Sequence, residues 1–131
     1  MKRDLDAALA TGQGLYYVVT GVWPLLSMRS FEAVTGPKTD RWLVKTVGVL
    51  VGVIGGVLML SGRRRRVPLE PTVLATGSAV GLAAIDTIYA SRGRISKIYL
   101  LDALAELALV GAWALGKRRR ATRRIPRRRA A

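Results

Sequence analysis

Four apolar runs separated by basic clusters constrain this chain more than any other feature. They cover about residues 7–28, 43–60, 72–89 and 98–115. A helix rising about 1.5 Å per residue needs about 20 residues to cross about 30 Å of hydrocarbon, and each run is close to that length. The second is the most apolar: VGVLVGVIGGVLML has no polar side chain, and the whole run carries one charge, Lys45. One such run could be the core helix of a water-soluble domain. Four within 131 residues leave too little polar surface to cover them in water. The expectation is an all-α integral membrane four-helix bundle, with residues 1–116 forming a domain of four transmembrane helices. Pro24 is expected to kink the first near its outer end. The tail KRRRATRRIPRRRAA, residues 117–131, is too poor in apolar groups to pack and is expected to be disordered.

The charges set an orientation. The chain has 22 Lys+Arg against 8 Asp+Glu, a net +14. Lys2 and Arg3, the loop Arg63–Arg66, and the tail from Lys117 onward all fall on one side. Arg29, Lys38, Arg41, Lys45, Arg92, Arg94 and Lys97 fall on the other. The positive-inside bias places both termini in the cytoplasm. Lys2-Arg3 resembles the start of a signal peptide, but Asp4 and Asp6 follow at once and no Ala-x-Ala site is evident. The basic side is expected to meet anionic lipid headgroups, at about 1 kcal/mol per residue near the surface. Nucleic acid is not an expected partner, because the tail has no interleaved aromatics on which bases could stack.

The absence of Cys and His removes several chemistries. Thiolate catalysis, disulfides, Cys- or His-ligated metals and a Ser-His-Asp triad are all excluded. No metal and no cofactor is expected, and an enzyme using carboxylates alone ranks last among the functional readings.

Glycines suggest where helices approach closely. Gly48, Gly52 and Gly56 recur every four residues in the second run, with Gly55 beside them, and Gly77 and Gly81 repeat the spacing in the third. Such strips bring backbones together in lipid. The Gly48/Gly52/Gly56 strip serves either the bundle interior or a homo-oligomer contact.

The most informative residues are acids inside the apolar runs. Asp102 and Glu106 are four apart and share a helix face. Counted back from Leu115, Glu106 lies about 13 Å from the cytoplasmic boundary by helix rise. A carboxylate at such depth costs about 2.5–3.5 kcal/mol even on insertion scales, so it needs a partner or water. Asp86, one turn before Tyr89, has a depth like that of Asp102. Lys45 is the expected ion-pair partner of Asp102 or Asp86, with Arg41 one turn further out. Tyr16, Tyr17 and Thr20 reach the depth of Glu106 and can hydrogen-bond it. Two readings stay open: a structural polar network, or a ligand- or proton-accessible cavity lined by Asp86, Asp102 and Glu106.

The first outer loop, VWPLLSMRSFEAVTGPKTDRWLVKT, is expected to fold back over this cluster as a lid. Trp23, Phe31 and Trp42 fit an interfacial aromatic belt. Gly36-Pro37 marks a turn, Thr39-Asp40 can cap the second helix, and Arg29 and Glu32 can pair across one turn.

The stretches GLYYVVTGVWPLLSMRSFEAVTGPKTDRWLVKTVG and AIDTIYASRGRISKIYLLDALAELALVGAW resemble those of small four-helix bacterial inner-membrane proteins. The general shape is similar to that of DoxX-type membrane proteins. Neither resemblance supplies a catalytic motif. Small multidrug-resistance transporters are of similar length but carry an acid on the first helix, which this run lacks. The leading functional expectation is binding or transport of a small molecule or ion through a polar cavity in the outer half. A scaffold or accessory subunit is the alternative.

Overall fold

The computed structural model describes residues 4–124. Among them are five helices and no strand: α1 (Leu5–Leu26), α2 (Met28–Thr35), α3 (Arg41–Gly62), α4 (Leu69–Ser91) and α5 (Tyr99–Arg124). The all-α expectation holds. The four-helix bundle with four transmembrane helices is corrected: there is a fifth helix, and three of the five are long and apolar enough to cross a membrane. These are α3, α4 and α5, whose most apolar stretches have mean hydropathies of 2.3, 1.5 and 1.4. α1 has the length but not the apolarity. Thr11, Gln13, Tyr16, Tyr17, Thr20 and Pro24 dilute it, and the most polar of these face inward: Gln13 is 0% and Tyr17 1% exposed.

α2 exists because the first run breaks earlier than its apolarity suggests. Pro24 sits in the last turn of α1, and Ser27 ends that helix and starts the next. The Ser27 amide donates to the Trp23 carbonyl at 2.9 Å, while its hydroxyl accepts from the Ser30 amide at 3.3 Å. Gly36 then stops α2 with φ +90°, a left-handed conformation that disfavours other residues. Asp40 occupies the N-cap position of α3 as expected, but its carbonyl, not its side chain, takes the first amides.

The tail expectation also changes. α5 continues through Arg124 instead of ending at residue 115, and residues 125–131 lie outside the described part. Arg120 on this extension pairs with Asp6 at 2.7 Å and lies 3.9 Å from Asp4, fastening α5 to the start of α1.

α1 and α3 pack antiparallel along their whole length, and small residues set the spacing. Gly21 lies against Gly48, Gly14 against Gly55, and Ala7 against Gly62. A Cβ added at Gly14 would stand 2.6 Å from the Gly55 carbonyl oxygen, and one at Gly55 would stand 2.6 Å from that of Gly14. The recurrence is seven residues on each helix, the repeat of left-handed packing. The expected period-four strip is therefore corrected: Gly48 and Gly52 meet α1, but Gly56 has nothing within 4 Å of its Cβ position. Gly48, buried against Gly21, is not free for a second protomer. Gly77 and Gly81 likewise face open space, and α4 buries Ala75, Ala79, Ala83 and Ala90 instead.

The outward faces of α3, α4 and α5 are apolar. Leu50, Val53, Leu60, Val73, Val80, Ile85, Leu104, Leu107 and Leu115 are all exposed. In water such a continuous surface would aggregate, whereas in lipid it needs no cover. This is the surface of a membrane protein. One end of the bundle carries the start of α1, the Arg63–Arg66 turn and Arg118–Arg120. The other carries α2, the 36–40 connection and the α4–α5 turn around Gly93.

Candidate functional site

The site is built from α1 and α5, which cross-connect by three polar links. Nearest the basic end, Gln13 donates to the Ala75 carbonyl at 2.9 Å and accepts from the Trp113 indole at 2.8 Å. All three residues are buried, so this link is closed and structural. Next, the Tyr17 hydroxyl donates to Glu106 Oε2 at 2.7 Å. Last, the Tyr16 hydroxyl donates to Asp102. Neighbouring tyrosines on α1 reach two acids of α5 because Asp102 and Glu106 stand one turn apart on one face. The two tyrosine rings lie 6.1 Å apart at 46°.

A cavity of about 400 Å³ opens beside these links toward the end that bears α2. Its polar floor is Tyr16, Tyr17, Thr20, Asp102 and Glu106. Its walls are apolar: Trp23, Phe31 and Val34 from the α1–α2 corner, Val51, Leu82, and Ile98 and Leu101 at the start of α5. A mostly apolar recess with a few convergent polar groups has the usual make-up of a small-molecule site.

Asp86 adjoins the cluster from α4 but is not among the residues that line the cavity. It is 6% exposed, Asp102 and Glu106 are its charged neighbours, and its Oδ2 has no hydrogen-bond partner. The structure thus brings Tyr16, Tyr17, Asp86, Asp102 and Glu106 together. It does not bring in the cations. Lys45 is exposed and makes no ion pair among the described residues, so the expected Lys45 partnership with Asp102 or Asp86 is corrected. Arg41 turns away to Glu32, because the α2 turn places that carboxylate directly in its reach. Tyr89 is 41% exposed and does not line the cavity.

α2 covers part of the cavity and is held by contacts at both ends. Trp23 meets Phe31 edge-on at 5.4 Å, and its indole donates to Ser30 Oγ at 2.8 Å. Arg41 grips both oxygens of Glu32, at 2.9 and 2.8 Å. The sequence pairing of Arg29 with Glu32 is therefore replaced. The Lys38 amide also donates to Glu32, and the Lys38 ammonium lies 4.8 Å over the Tyr99 ring.

The Arg41 guanidinium, with Lys38 beside it, holds the Glu32 carboxyl below its ordinary range. The sign follows from the depressed folded value. The contribution is complete above the ordinary glutamate value of about 4.3 and is lost as pH falls through the lower folded value. We expect amide protection of residues 28–40 in hydrogen exchange, corrected for intrinsic rates, to fall in that acid range. Glu32→Gln should show the weaker protection already at neutral pH. Unchanged protection in the variant would remove Glu32 as the anchor of α2.

Sequence reasoning missed Gln13 and Trp113 as a pair, and Asp6 and Arg120 as the clasp at the basic end. Gln13 was visible as the one amide in the first apolar run, but its partner 100 positions away was not. No protein-family model, curated protein or solved structure matches this chain. The functional reading therefore rests on the chain's own chemistry.

Proposed function

We propose that this protein binds a small molecule in the cavity between α1, α2 and α5 and passes it between the two faces of the membrane. The observation that carries the reading is the combination of an apolar-walled recess of about 400 Å³ with Tyr16, Tyr17, Asp102 and Glu106 converging on its floor. A purely structural network would bury its acids fully, as the Gln13–Trp113 link is buried. Here Glu106 is closed off, but Asp102 is half-buried and borders open space. The scaffold reading keeps one point in its favour: each tyrosine already satisfies an acid. It predicts that filling the recess changes nothing.

Orientation belongs to the same proposal. The end with Arg63–Arg66 and Arg118–Arg120 faces the cytoplasm of a bacterial inner membrane, against anionic headgroups, by the positive-inside bias. The cavity then opens toward the outer side, and catalysis is no part of this reading.

The test fills the recess. Thr20 lines it and makes hydrogen bonds only to carbonyls of its own helix. Thr20→Trp should leave thermal stability in detergent nearly unchanged and abolish saturable binding of triphenylphosphine oxide to the protein in nanodiscs, measured against empty nanodiscs. Equal binding by wild type and variant would place the probe elsewhere. No saturable binding by either would favour the scaffold.

A further inference from the structure

We propose that the ligand of this cavity is a lipid-soluble alcohol or phenol, whose hydroxyl donates to the floor while its apolar body lies against Trp23, Phe31 and Leu101. This rests on the cavity reading above and adds the hydrogen-bonding sense of the ligand. The floor has already committed its own hydrogens. The Tyr16 hydroxyl donates to Asp102 and the Tyr17 hydroxyl to Glu106. The Thr20 hydroxyl donates to the Tyr16 carbonyl at 2.8 Å, within its own helix. On the walls, the Trp23 indole donates to Ser30 Oγ and the Thr35 hydroxyl to the Phe31 carbonyl, both at 2.8 Å. Among the described residues that line the recess, Tyr99 alone has a side-chain hydrogen not committed in this way. It stands at the start of α5, about one turn nearer the mouth than Asp102.

What the floor retains is acceptors. A carboxyl group offers about four hydrogen-bonding positions on its two oxygens. Asp102 receives one bond from Tyr16 and shares one with Asp86, and it borders the recess half-buried. The Tyr16 oxygen, its hydrogen turned to Asp102, can accept as well. A ligand that only accepts sets its oxygen against these oxygens and leaves both sides unpaired, whereas a hydroxyl completes the set. A site with committed polar groups discriminates strongly on that ground. The rest of the recess selects the body. Its walls are apolar, and so is its rim, where Val34 is 49% and Leu101 61% exposed. Burying a polar body against such walls leaves its groups without partners, so a sugar or another polyhydroxylated molecule does not fit. A single donor on an apolar frame does.

The test compares two uncharged probes with the same three-ring body, triphenylmethanol, which donates, and triphenylphosphine oxide, which only accepts. Each is measured by equilibrium dialysis against the full chain in nanodiscs, with affinity referred to the probe partitioned into empty nanodiscs. The wild type should bind the alcohol at least about tenfold more tightly than the oxide, equivalent to about 1.4 kcal/mol. Asp102→Asn keeps an acceptor for Tyr16 and adds amide hydrogens, so it should tighten binding of the oxide and remove most of the preference. Tyr16→Phe frees an Asp102 oxygen, so the preference should be at least as large as in the wild type, and it provides the comparison if Asp102→Asn does not fold. Equal affinity for the two probes in the wild type overturns the donor inference and leaves the cavity reading standing. A preference that survives Asp102→Asn, or one that shrinks in Tyr16→Phe, also overturns it. Absence of saturable binding by either probe removes the cavity reading itself.

Discussion

Gly55→Leu should prevent the purified protein from folding, whereas Gly56→Leu, one position away, should be nearly silent. At Gly55 a Cβ would lie 2.6 Å from the Gly14 carbonyl oxygen and 2.8 Å from the Val18 amide nitrogen. Both are backbone atoms, so relief requires α1 and α3 to separate along their shared length. Overpacking a well-fitted interface costs about 1–3 kcal/mol, and here the side chain meets backbone, so about 3 kcal/mol is the lower expectation. Apolar outer faces gain nothing from water, so van der Waals fit between these helices supplies much of the cohesion that the seam would lose. The Gly56 side meets nothing within 4 Å, and a leucine there points into the same lipid as its exposed neighbours. Its effect should stay within about 0.5 kcal/mol. Denaturant titration in detergent with size-exclusion profiles gives the comparison. Equal losses at the two positions would mean that the α1–α3 register is wrong.

The same pair of glycines shows what could and could not be read from the chain. Repeated glycine in the second apolar run announces close packing, and the run does pack closely. The repeat that matters, however, spans two helices. Gly48, Gly55 and Gly62 are seven apart, and so are Gly21, Gly14 and Ala7, but only the antiparallel pairing makes those two series one seam. A single helix read alone favours the more obvious spacing of four. Depth was partly legible because helix rise is fixed: of Tyr16, Tyr17 and Thr20, all expected to reach Glu106, Tyr17 does so, whereas Tyr16 reaches Asp102 one turn away and Thr20 bonds carbonyls of its own helix. Azimuth was not. Lys45 has a depth suited to Asp102, yet it lies on the outer face of α3, and no count along one helix reveals that. α2 was hidden because Met28, Phe31 and Val34 blend with the end of an apolar run, and its existence depends on how Ser27 and Gly36 direct the backbone. Arg41 follows from α2: once Glu32 is presented by that helix, the guanidinium has a nearer partner than the buried acids.

The central claim is that a wet, acid-floored recess is enclosed by a protein whose outer faces lie in lipid. Thr20 and Val19 put that claim on adjacent residues. Thr20 lines the cavity, while Val19 is 59% exposed on the outside of α1, which packs along α3. The chain contains no cysteine, so single-cysteine variants carry no background. A thiol reacts as its thiolate, which forms in water and not in hydrocarbon. In nanodiscs, Thr20→Cys should be modified by a cationic methanethiosulfonate reagent at least about tenfold faster than Val19→Cys. Triphenylphosphine oxide should slow the first reaction and not the second. If Val19→Cys reacts as fast as Thr20→Cys, the outer face of α1 is in water. If Thr20→Cys is as inert as Leu58→Cys, whose site is 0% exposed, the recess is dry and the acids serve structure alone.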